Sequence, residues 1–279
     1  MNGRTANGDW QLPERARLSG GEVAWGRFGS GPAVVLVHGT PSWSFMWRNV
    51  VPRLEKEFTV YLLDLVGYGD SERSEGQDMS VAAQSRALTE LIELWSLDRP
   101  GLVGHDIGGS VVLRTHLVEG RPASRIALVD AAVLLPWNTA VTMHIKQHLD
   151  AYRTMPPALY EQVVRAHLAT ALHKRPEEAV LDAYLRPWRG PDGQAAYFRK
   201  IAQWRDEDMS LLEPLFASLD LPVLVLWGAE DRWLEPEKAE RLARRIPGAG
   251  VQLVPGAGHF AMEDEPDAVA AALAAFFAG

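Results

Sequence analysis

The stretch LVGHDIGGSVVLR, residues 102–114, decides the fold. It runs from a hydrophobic strand that ends at His105, through a glycine-rich turn, directly into a helix. Gly104 and Gly108 stand two residues before and two residues after Asp106. This frame predicts a sharp strand-to-helix turn that presents the Asp106 side chain above a sheet. A dinucleotide-binding turn is not indicated, because the pattern G-x-G-x-x-G does not occur here.

On both sides of this turn, short β-branched runs alternate with helical stretches, which predicts parallel strands joined by crossover helices. The predicted strands cover residues 33–38, 59–64, 101–105, 125–130, 223–227 and 251–254. Between residues 134 and 214 the sequence is helical in character and rich in proline, with no candidate strand. We therefore expect an α/β core, residues 1–132 and 215–279, with a helical cap inserted at residues 133–214.

Two helices carry clear start signals. Ser80 is a plausible N-cap for an amphipathic helix that packs on the sheet. Near the end of the chain, Pro266 and Asp267 precede the apolar run 268–278, which predicts a buried terminal helix.

Composition limits the possible partners. The 279-residue chain has a formal net charge of −8, which argues against nucleic acid or an anionic membrane. The absence of cysteine excludes disulfides, thiolate metal sites and a cysteine nucleophile. The polar N-terminus and the lack of an apolar run of about 18 residues favour a cytoplasmic protein without a signal peptide or membrane span. His144 and His148 lack a nearby third ligand, so we expect no metal site. A small-molecule substrate is the expected partner, and the oligomeric state stays open.

Two further residues with catalytic chemistry follow strands later in the chain. Asp231 lies just past a predicted strand, and His259 lies in a glycine-rich loop after the last strand. The chain order of Asp106, Asp231 and His259 is that of a nucleophile, an acid and a histidine in a hydrolytic triad. The sequence HGTP, residues 38–41, follows another strand and offers a loop amide for an oxyanion hole. Asp130, which ends the strand before the insertion, is an alternative to Asp231 as the acid.

An aspartate at the centre of the turn predicts displacement chemistry. A carboxyl group with an ordinary pKa of about 3.9 is ionised at pH 7, so it attacks saturated carbon without a base. The product would be an alkyl ester of Asp106, whose carbonyl carbon is then attacked by a water that His259 deprotonates. Attack on a carboxylic ester would instead give a mixed anhydride, which argues against ordinary esterase activity.

Five segments resemble the Asp-nucleophile branch of the α/β-hydrolase family, which includes haloalkane dehalogenases, fluoroacetate dehalogenases and epoxide hydrolases. They are HGTPSWSFMWR (38–48), DLVGYGDSER (64–73), GHDIGG (104–109), WGAEDRW (227–233) and GAGHFAMEDEP (256–266). The resemblance implies an α/β-hydrolase fold, with helices on both faces of a mostly parallel sheet, and hydrolysis without a metal or cofactor. It implies that Asp106 is the nucleophile, His259 the base and Asp231 the orienting acid. The backbone amides of Thr40 and Ile107 would be the oxyanion donors.

The leaving group stays open. Haloalkane members of the branch usually bind halide through an indole N–H just after the nucleophile and a second donor in the HGxP loop. This chain has Ile107 and Thr40 at those positions. Fluoroacetate dehalogenases commonly place Arg where Ile107 stands. Candidate replacement donors are Trp43, Trp137, Trp188 and Trp204, and candidate proton donors to an epoxide oxygen are the tyrosines of the insertion, Tyr152, Tyr160, Tyr184 and Tyr197.

We therefore expect a haloalkane dehalogenase-like hydrolase, with an epoxide hydrolase as the alternative. Two further hypotheses are a serine-type esterase scaffold whose nucleophile has been substituted, and a ligand receptor without turnover. Turnover of bromoalkanes, haloacids or epoxides would separate the enzymes from the receptor.

Overall fold

The computed structural model describes residues 10–279. Residues 1–9, on which the expectation of no signal peptide partly rests, lie outside the described residues. The strands are β1 (Glu14–Leu18), β2 (Gly21–Gly29), β3 (Ala33–Val37), β4 (Thr59–Leu63), β5 (Gly101–His105), β6 (Arg125–Val129), β7 (Val223–Gly228) and β8 (Gly250–Val254). The helices are α1 (Val51–Leu54), α2 (Val81–Leu94), α3 (Ile107–Leu117), α4 (Ala140–Gln147), α5 (Leu149–Arg153), α6 (Pro157–Ala169), α7 (Glu178–Leu185), α8 (Gly190–Gln203), α9 (Glu207–Ser210), α10 (Glu237–Ala243), α11 (Ala261–Asp264) and α12 (Pro266–Ala278). Within residues 10–279, no helix has the length and apolar character needed to cross a membrane.

The strands form one eight-stranded sheet in the order β1-β2-β4-β3-β5-β6-β7-β8. Strands β3 to β8 pair in parallel, and β1 and β2 pair antiparallel at one edge. The α/β fold and all six predicted strands are therefore confirmed. The antiparallel pair β1 and β2 adds two strands that the sequence analysis did not predict.

The helix signals agree with the structure. The Ser80 hydroxyl accepts a hydrogen bond from the amide of Ala83 at 3.2 Å, as an N-cap does at the start of α2. Helix α12 begins at Pro266, where the missing N–H of proline costs no intrahelical bond. Between β6 and β7, the described chain contains helices α4 to α9 and no strand. The division into core and cap stays a prediction.

The topology brings distant parts of the sequence to one edge of the sheet. The carboxyl ends of the parallel strands β3, β5, β7 and β8 lie at this edge, and each is followed by a loop. Asp106 directly follows β5, and Asp231 and His259 follow β7 and β8. In an open α/β sheet this edge is where ligands bind. The helices between β6 and β7 contribute the opposite wall of the same cavity.

Candidate active site

The turn after β5 has the strained geometry that the sequence predicts. Asp106 adopts φ +50° and ψ −124°, a conformation that costs an L-residue about 1–3 kcal/mol. A Cβ on Gly104 would lie 2.3 Å from the carbonyl oxygen of Gly108. A Cβ on Gly108 would lie 2.6 Å from the carbonyl oxygen of Val37. Only glycine therefore lets α3 start this close to β5 and β3.

The Asp106 side chain is almost fully buried, and its two oxygen atoms have different partners. Oδ1 accepts a hydrogen bond from the backbone amide of Thr40 at 2.9 Å, and Oδ2 lies 3.4 Å from Nε2 of His259. Burial alone would raise the pKa of Asp106, but the hydrogen bond and charge of His259 outweigh burial and hold this pKa below its ordinary value. Ile107 opens α3, so its amide is one of the unpaired donors at the helix N-terminus.

His259 is held by a second carboxylate. Its Nδ1 lies 2.9 Å from Oδ2 of Asp231, whose Oδ1 accepts hydrogen bonds from the amides of Trp233 at 2.8 Å and Leu234 at 3.0 Å. Burial alone would lower the pKa of His259, but the charges of Asp231 and Asp106, with hydrogen bonds to both, raise it to about 10. The structure thus brings the three predicted triad residues into one chain of contacts.

Asp130, the alternative acid, forms no ion pair with His259 among the described residues. Its Oδ1 accepts a hydrogen bond from the amide of Gly228 at 2.7 Å. Burial, and then the negative charge of Asp231, raise the pKa of Asp130 well above its ordinary value. A carboxyl group whose pKa is raised is less available as an anion to balance an imidazolium charge, so the geometry and the charges favour Asp231 as the acid.

Two more histidines lie close to the turn. His38 contacts the carbonyl oxygen of Gly39 through Nδ1 and accepts a hydrogen bond from the amide of Leu65 through Nε2, both at 2.9 Å. His105 contacts the carbonyl oxygen of His259 at 2.9 Å. Burial lowers the pKa of His38 to about 4 and that of His105 to about 3, so both are neutral at pH 7. They support the loops of the site through backbone contacts.

A narrow cavity opens above Asp106. The HGTP loop contributes Thr40 and Pro41 to its wall. Facing them are aromatic and basic side chains from the helical insertion and from the loop after β7, namely Trp137, His167, Tyr197, Lys200, Trp204 and Trp233. An ionised carboxylate therefore faces an enclosure with largely apolar walls.

Of the leaving-group donors proposed from the sequence, Trp137 and Trp204 line this cavity. The indole N–H of Trp137 donates to the carboxylate of Asp206 at 3.0 Å. The buried indole N–H of Trp204 has no hydrogen-bond partner within residues 10–279. Trp204 is thus the one predicted indole at the cavity wall whose donor is still free.

The structure corrects the expectation for five other candidates, which are not among the described residues that line the cavity: Trp43, Trp188, Tyr152, Tyr160 and Tyr184. The indole N–H groups of Trp43 and Trp188 donate to backbone carbonyl oxygens at 3.0 and 2.6 Å. The hydroxyl of Tyr184 donates to the carboxylate of Glu263 at 2.8 Å. The ring of Tyr152 packs against another aromatic ring of the insertion. The polar groups of Trp43, Trp188 and Tyr184 are used in hydrogen bonds within the fold, which residue type alone does not reveal.

The sequence analysis missed Lys200. This side chain is 1% exposed, and its ammonium nitrogen lies 4.0 Å from the ring centroid of Tyr197, 5.0 Å from that of Trp204 and 5.4 Å from that of Trp188. Burial lowers the pKa of Lys200 to about 7, although the charge of Asp106 opposes this shift. The sequence does contain a signal for a buried lysine. Tyr197, Lys200 and Trp204 are spaced by three and four residues, which puts the lysine between two aromatic residues on one face of a helix.

Residues 32–266 match the family model of the alpha/beta hydrolase fold. The chain belongs to this family. Haloalkane dehalogenase 2 of Mycobacterium tuberculosis (strain ATCC 25618 / H37Rv) is 28% identical to this hydrolase over 270 residues, which cover 91% of each chain. A crystal structure of an alpha/beta hydrolase fold protein from Burkholderia ambifaria is 37% identical, with a TM-score of 0.91, over 94% of this chain and 97% of that chain.

The similarity of this alpha/beta hydrolase extends to proteins with other activities. The structure of a thermophilic esterase from Thermogutta terrifontis is 24% identical, with a TM-score of 0.78, over 95% of this chain and 98% of that chain. At this identity the likeness concerns the fold alone. The hydrolase family therefore leaves the reaction to be argued from the residues of the site.

Proposed function

We propose that this alpha/beta hydrolase cleaves carbon–halogen bonds by displacement at saturated carbon, with Asp106 as the nucleophile. The observation that carries the proposal is an ionised carboxylate at the strained turn, 3.4 Å from the imidazole of His259 and facing a largely apolar cavity. The similarity to Haloalkane dehalogenase 2 supports halide as the leaving group. The likeness to an esterase does not outweigh the carboxylate, because attack by Asp106 on an ester carbonyl would give an anhydride.

In the first step, Oδ2 of Asp106 attacks the carbon that carries the halogen. Oδ1 is held by the amide of Thr40, so the two oxygen atoms are already distinguished before the substrate binds. The new carbon–oxygen bond forms as the carbon–halogen bond breaks, and the halogen leaves with both electrons as halide. The aromatic side chains of the wall offer few hydrogen bonds to Asp106, and a less solvated carboxylate is a stronger nucleophile.

In the second step, His259 becomes the base. Formation of the ester removes the charge of Asp106, one of the two carboxylates that keep the pKa of His259 high, so this pKa falls and the imidazole releases its proton to solvent water. Nε2 then accepts a proton from a water that attacks Cγ of Asp106. The amides of Thr40 and Ile107 stabilise the charge on Oδ1, and the alkoxide leaves with Oδ2 and takes the proton from His259.

Epoxide opening is the second candidate. Tyr197 is a tyrosine of the insertion that lines the cavity, and a phenol there is placed to donate a proton to an opening ring oxygen. The hydroxyl groups of Tyr160 and Tyr184 are used elsewhere, by the carbonyl of Trp188 at 3.1 Å and the carboxylate of Glu263 at 2.8 Å. The tyrosine pair that resemblance to epoxide hydrolases implies is thus not assembled here, and this favours the halide.

The test is to trap the ester in a His259→Gln variant. After incubation with 1-bromohexane, intact mass spectrometry should show the protein carrying a hexyl group without bromine, and peptide mapping should place that group on Asp106. One equivalent of bromide should be released. The Asp106→Asn variant is the matched control and should form no adduct.

Two results would contradict the proposal. The first is an adduct at another residue, and the second is continued bromide release by the Asp106→Asn variant at the wild-type rate. The same assay with 1,2-epoxyhexane separates the second candidate, because an opened epoxide keeps every atom of the substrate in the adduct.

A further inference from the structure

We infer that Lys200 and the indole N–H of Trp204 together form the site that receives the halide as it leaves the substrate. The inference deepens the proposed function and rests on it. It assigns the leaving group to residues of the helical insertion, whereas the resemblance implies an indole at position 107 and a donor at position 40. Ile107 has an aliphatic side chain and cannot donate a hydrogen bond from it.

The position of Lys200 is the first support. It projects from α8 into the cavity that Asp106 also lines, and its ammonium group lies against the rings of Tyr197, Trp204 and Trp188. Within residues 10–279 it has no salt-bridge partner. Aromatic faces stabilise a buried cation only in part, and a buried ammonium normally has an anion beside it. The space for such an anion lies in the cavity.

Charge conservation during the first step is the second support. Asp106 loses its negative charge when it is alkylated, and the same charge appears on the departing halide. Among the described residues that line the cavity, Lys200 is the one lysine or arginine side chain. An ammonium group at this place is attracted by the charge of Asp106 before the reaction and by the charge of the halide after it. The total charge of the cavity is therefore unchanged, and no proton is transferred in the step.

Trp204 is the third support. Its indole N–H is buried at the cavity wall without a hydrogen-bond partner among the described residues, whereas the N–H of Trp137 is used by Asp206. A buried donor without a partner costs about 1–3 kcal/mol, so a ligand that accepts its hydrogen bond is favoured. Halides accept hydrogen bonds from N–H groups. An ammonium and an indole donor take the place of the donor that is missing at position 107.

The groups around Lys200 make its role measurable by pH. Burial, and then the charge of Lys200, lower the pKa of His167 in α6 to about 4, while burial raises the pKa of Tyr197 well above its ordinary value. Asp106 is ionised, and Lys146 of α4 is engaged with the carbonyl of Trp204. Between pH 6 and pH 9, Lys200 is thus the wall residue whose charge changes most, since its pKa is about 7.

The experiment is a titration of the free enzyme with sodium bromide at constant ionic strength, followed by quenching of tryptophan fluorescence. We expect saturable quenching at pH 6. At pH 9 about 1% of Lys200 keeps its proton, so the apparent dissociation constant should rise by up to about 100-fold. Lys200→Met should abolish saturable binding at both pH values. Lys200→Arg should bind bromide with little change between pH 6 and pH 9.

Two further variants serve as controls. Trp204→Phe should weaken bromide binding several-fold while keeping the dependence on pH. Lys56→Met removes a lysine from the exposed surface and should bind bromide as the wild type does. Thermal unfolding of each variant checks that it is folded, and the dependence of wild-type binding on pH tests the inference without any substitution.

The inference is overturned if wild type shows no saturable quenching at pH 6, or if Lys200→Met binds bromide like the wild type. It is also overturned if Lys200→Met loses the ability to open epoxides but still binds bromide, because Lys200 would then be a proton donor. Failure of the proposed function has a different signature. In that case bromide binds through Lys200, but no ester forms on Asp106 in the His259→Gln variant.

Discussion

Replacing Asp231 by asparagine should stop the reaction between its two steps. The carboxylate of Asp231 keeps the proton of His259 on Nδ1, which leaves Nε2 free to act as the base. Oδ1 of Asp231 is fixed by the amides of Trp233 and Leu234 at 2.8 and 3.0 Å. In Asp231→Asn the side-chain oxygen stays on those two amides, so the NH₂ group faces Nδ1 and donates to it. The neutral imidazole is then forced to carry its proton on Nε2, where it cannot accept one from water.

The expected magnitude follows from this change of tautomer. The corresponding Asp→Asn change in a serine hydrolase lowers kcat by about 10⁴-fold, which is about 5.5 kcal/mol in activation free energy. We expect a loss of about 10³- to 10⁴-fold in ester hydrolysis here. Alkylation depends on Asp106, so it should change much less. The matched control is Asp130→Asn, which replaces the second buried carboxyl group near His259 by an amide of similar shape and should keep turnover within about tenfold.

Rapid-quench kinetics with a bromoalkane give the readout. Asp231→Asn should release a burst of about one equivalent of bromide and then stall, with the ester visible in the intact mass. Steady turnover of Asp231→Asn within tenfold of the wild type would refute the reasoning. A loss of turnover in Asp130→Asn that is larger than the loss in Asp231→Asn would also refute it, since Asp130 would then be the acid.

Three further outcomes follow from the fold. Gly108→Ala should lower the free energy of unfolding, measured by urea titration, by about 1–3 kcal/mol, because its Cβ would lie 2.6 Å from two backbone oxygen atoms. The control is Gly250→Ala, whose Cβ would lie in open space and should change the free energy of unfolding by less than about 0.5 kcal/mol. Glu263→Gln should cost about 3–5 kcal/mol by the same measurement, since it breaks a buried ion pair with Arg48 made at 2.6 and 2.7 Å. The pKa of His259 rises to about 10 on folding from about 6.5, so its stabilising contribution is complete below pH 6.5 and is lost as pH rises through 10. The difference in unfolding free energy between wild type and His259→Gln should therefore shrink from pH 7 to pH 10, and a constant difference would contradict the charge arrangement.

The parallel strands β3 to β7 could be predicted because they lie inside the sheet and are almost fully buried, which their apolar runs indicate. Strand β2 is different: its sequence GEVAWGRFG is half buried and includes charged residues, so the apolar signal is weak. Strand β1, ERARL, has one buried position out of five. Strands of this kind are stabilised mainly by pairing with a neighbour, which the local sequence does not show.

The triad was predictable for a related reason. Asp106, Asp231 and His259 each follow a strand, and parallel strands end at one edge of the sheet. The cavity wall from the insertion was not predictable, because the direction of each aromatic side chain depends on how the helices pack. Trp43 and Trp204 are the same residue type, yet the indole N–H of Trp43 donates to a backbone carbonyl, whereas that of Trp204 has no hydrogen-bond partner within residues 10–279. Lys200 was missed since a lysine is ordinarily a surface residue.

The most direct test of the central claim, that Asp106 forms an ester through its own oxygen atom, is a single turnover in H₂¹⁸O with enzyme in excess over a bromoalkane. Because water attacks Cγ of Asp106, the alcohol should carry ¹⁶O. One ¹⁸O atom should enter the Asp106 carboxylate, where peptide mass spectrometry detects it. An alcohol that carries ¹⁸O after that first turnover, with unlabelled Asp106, would mean that water attacks the substrate carbon directly and that no ester forms on Asp106.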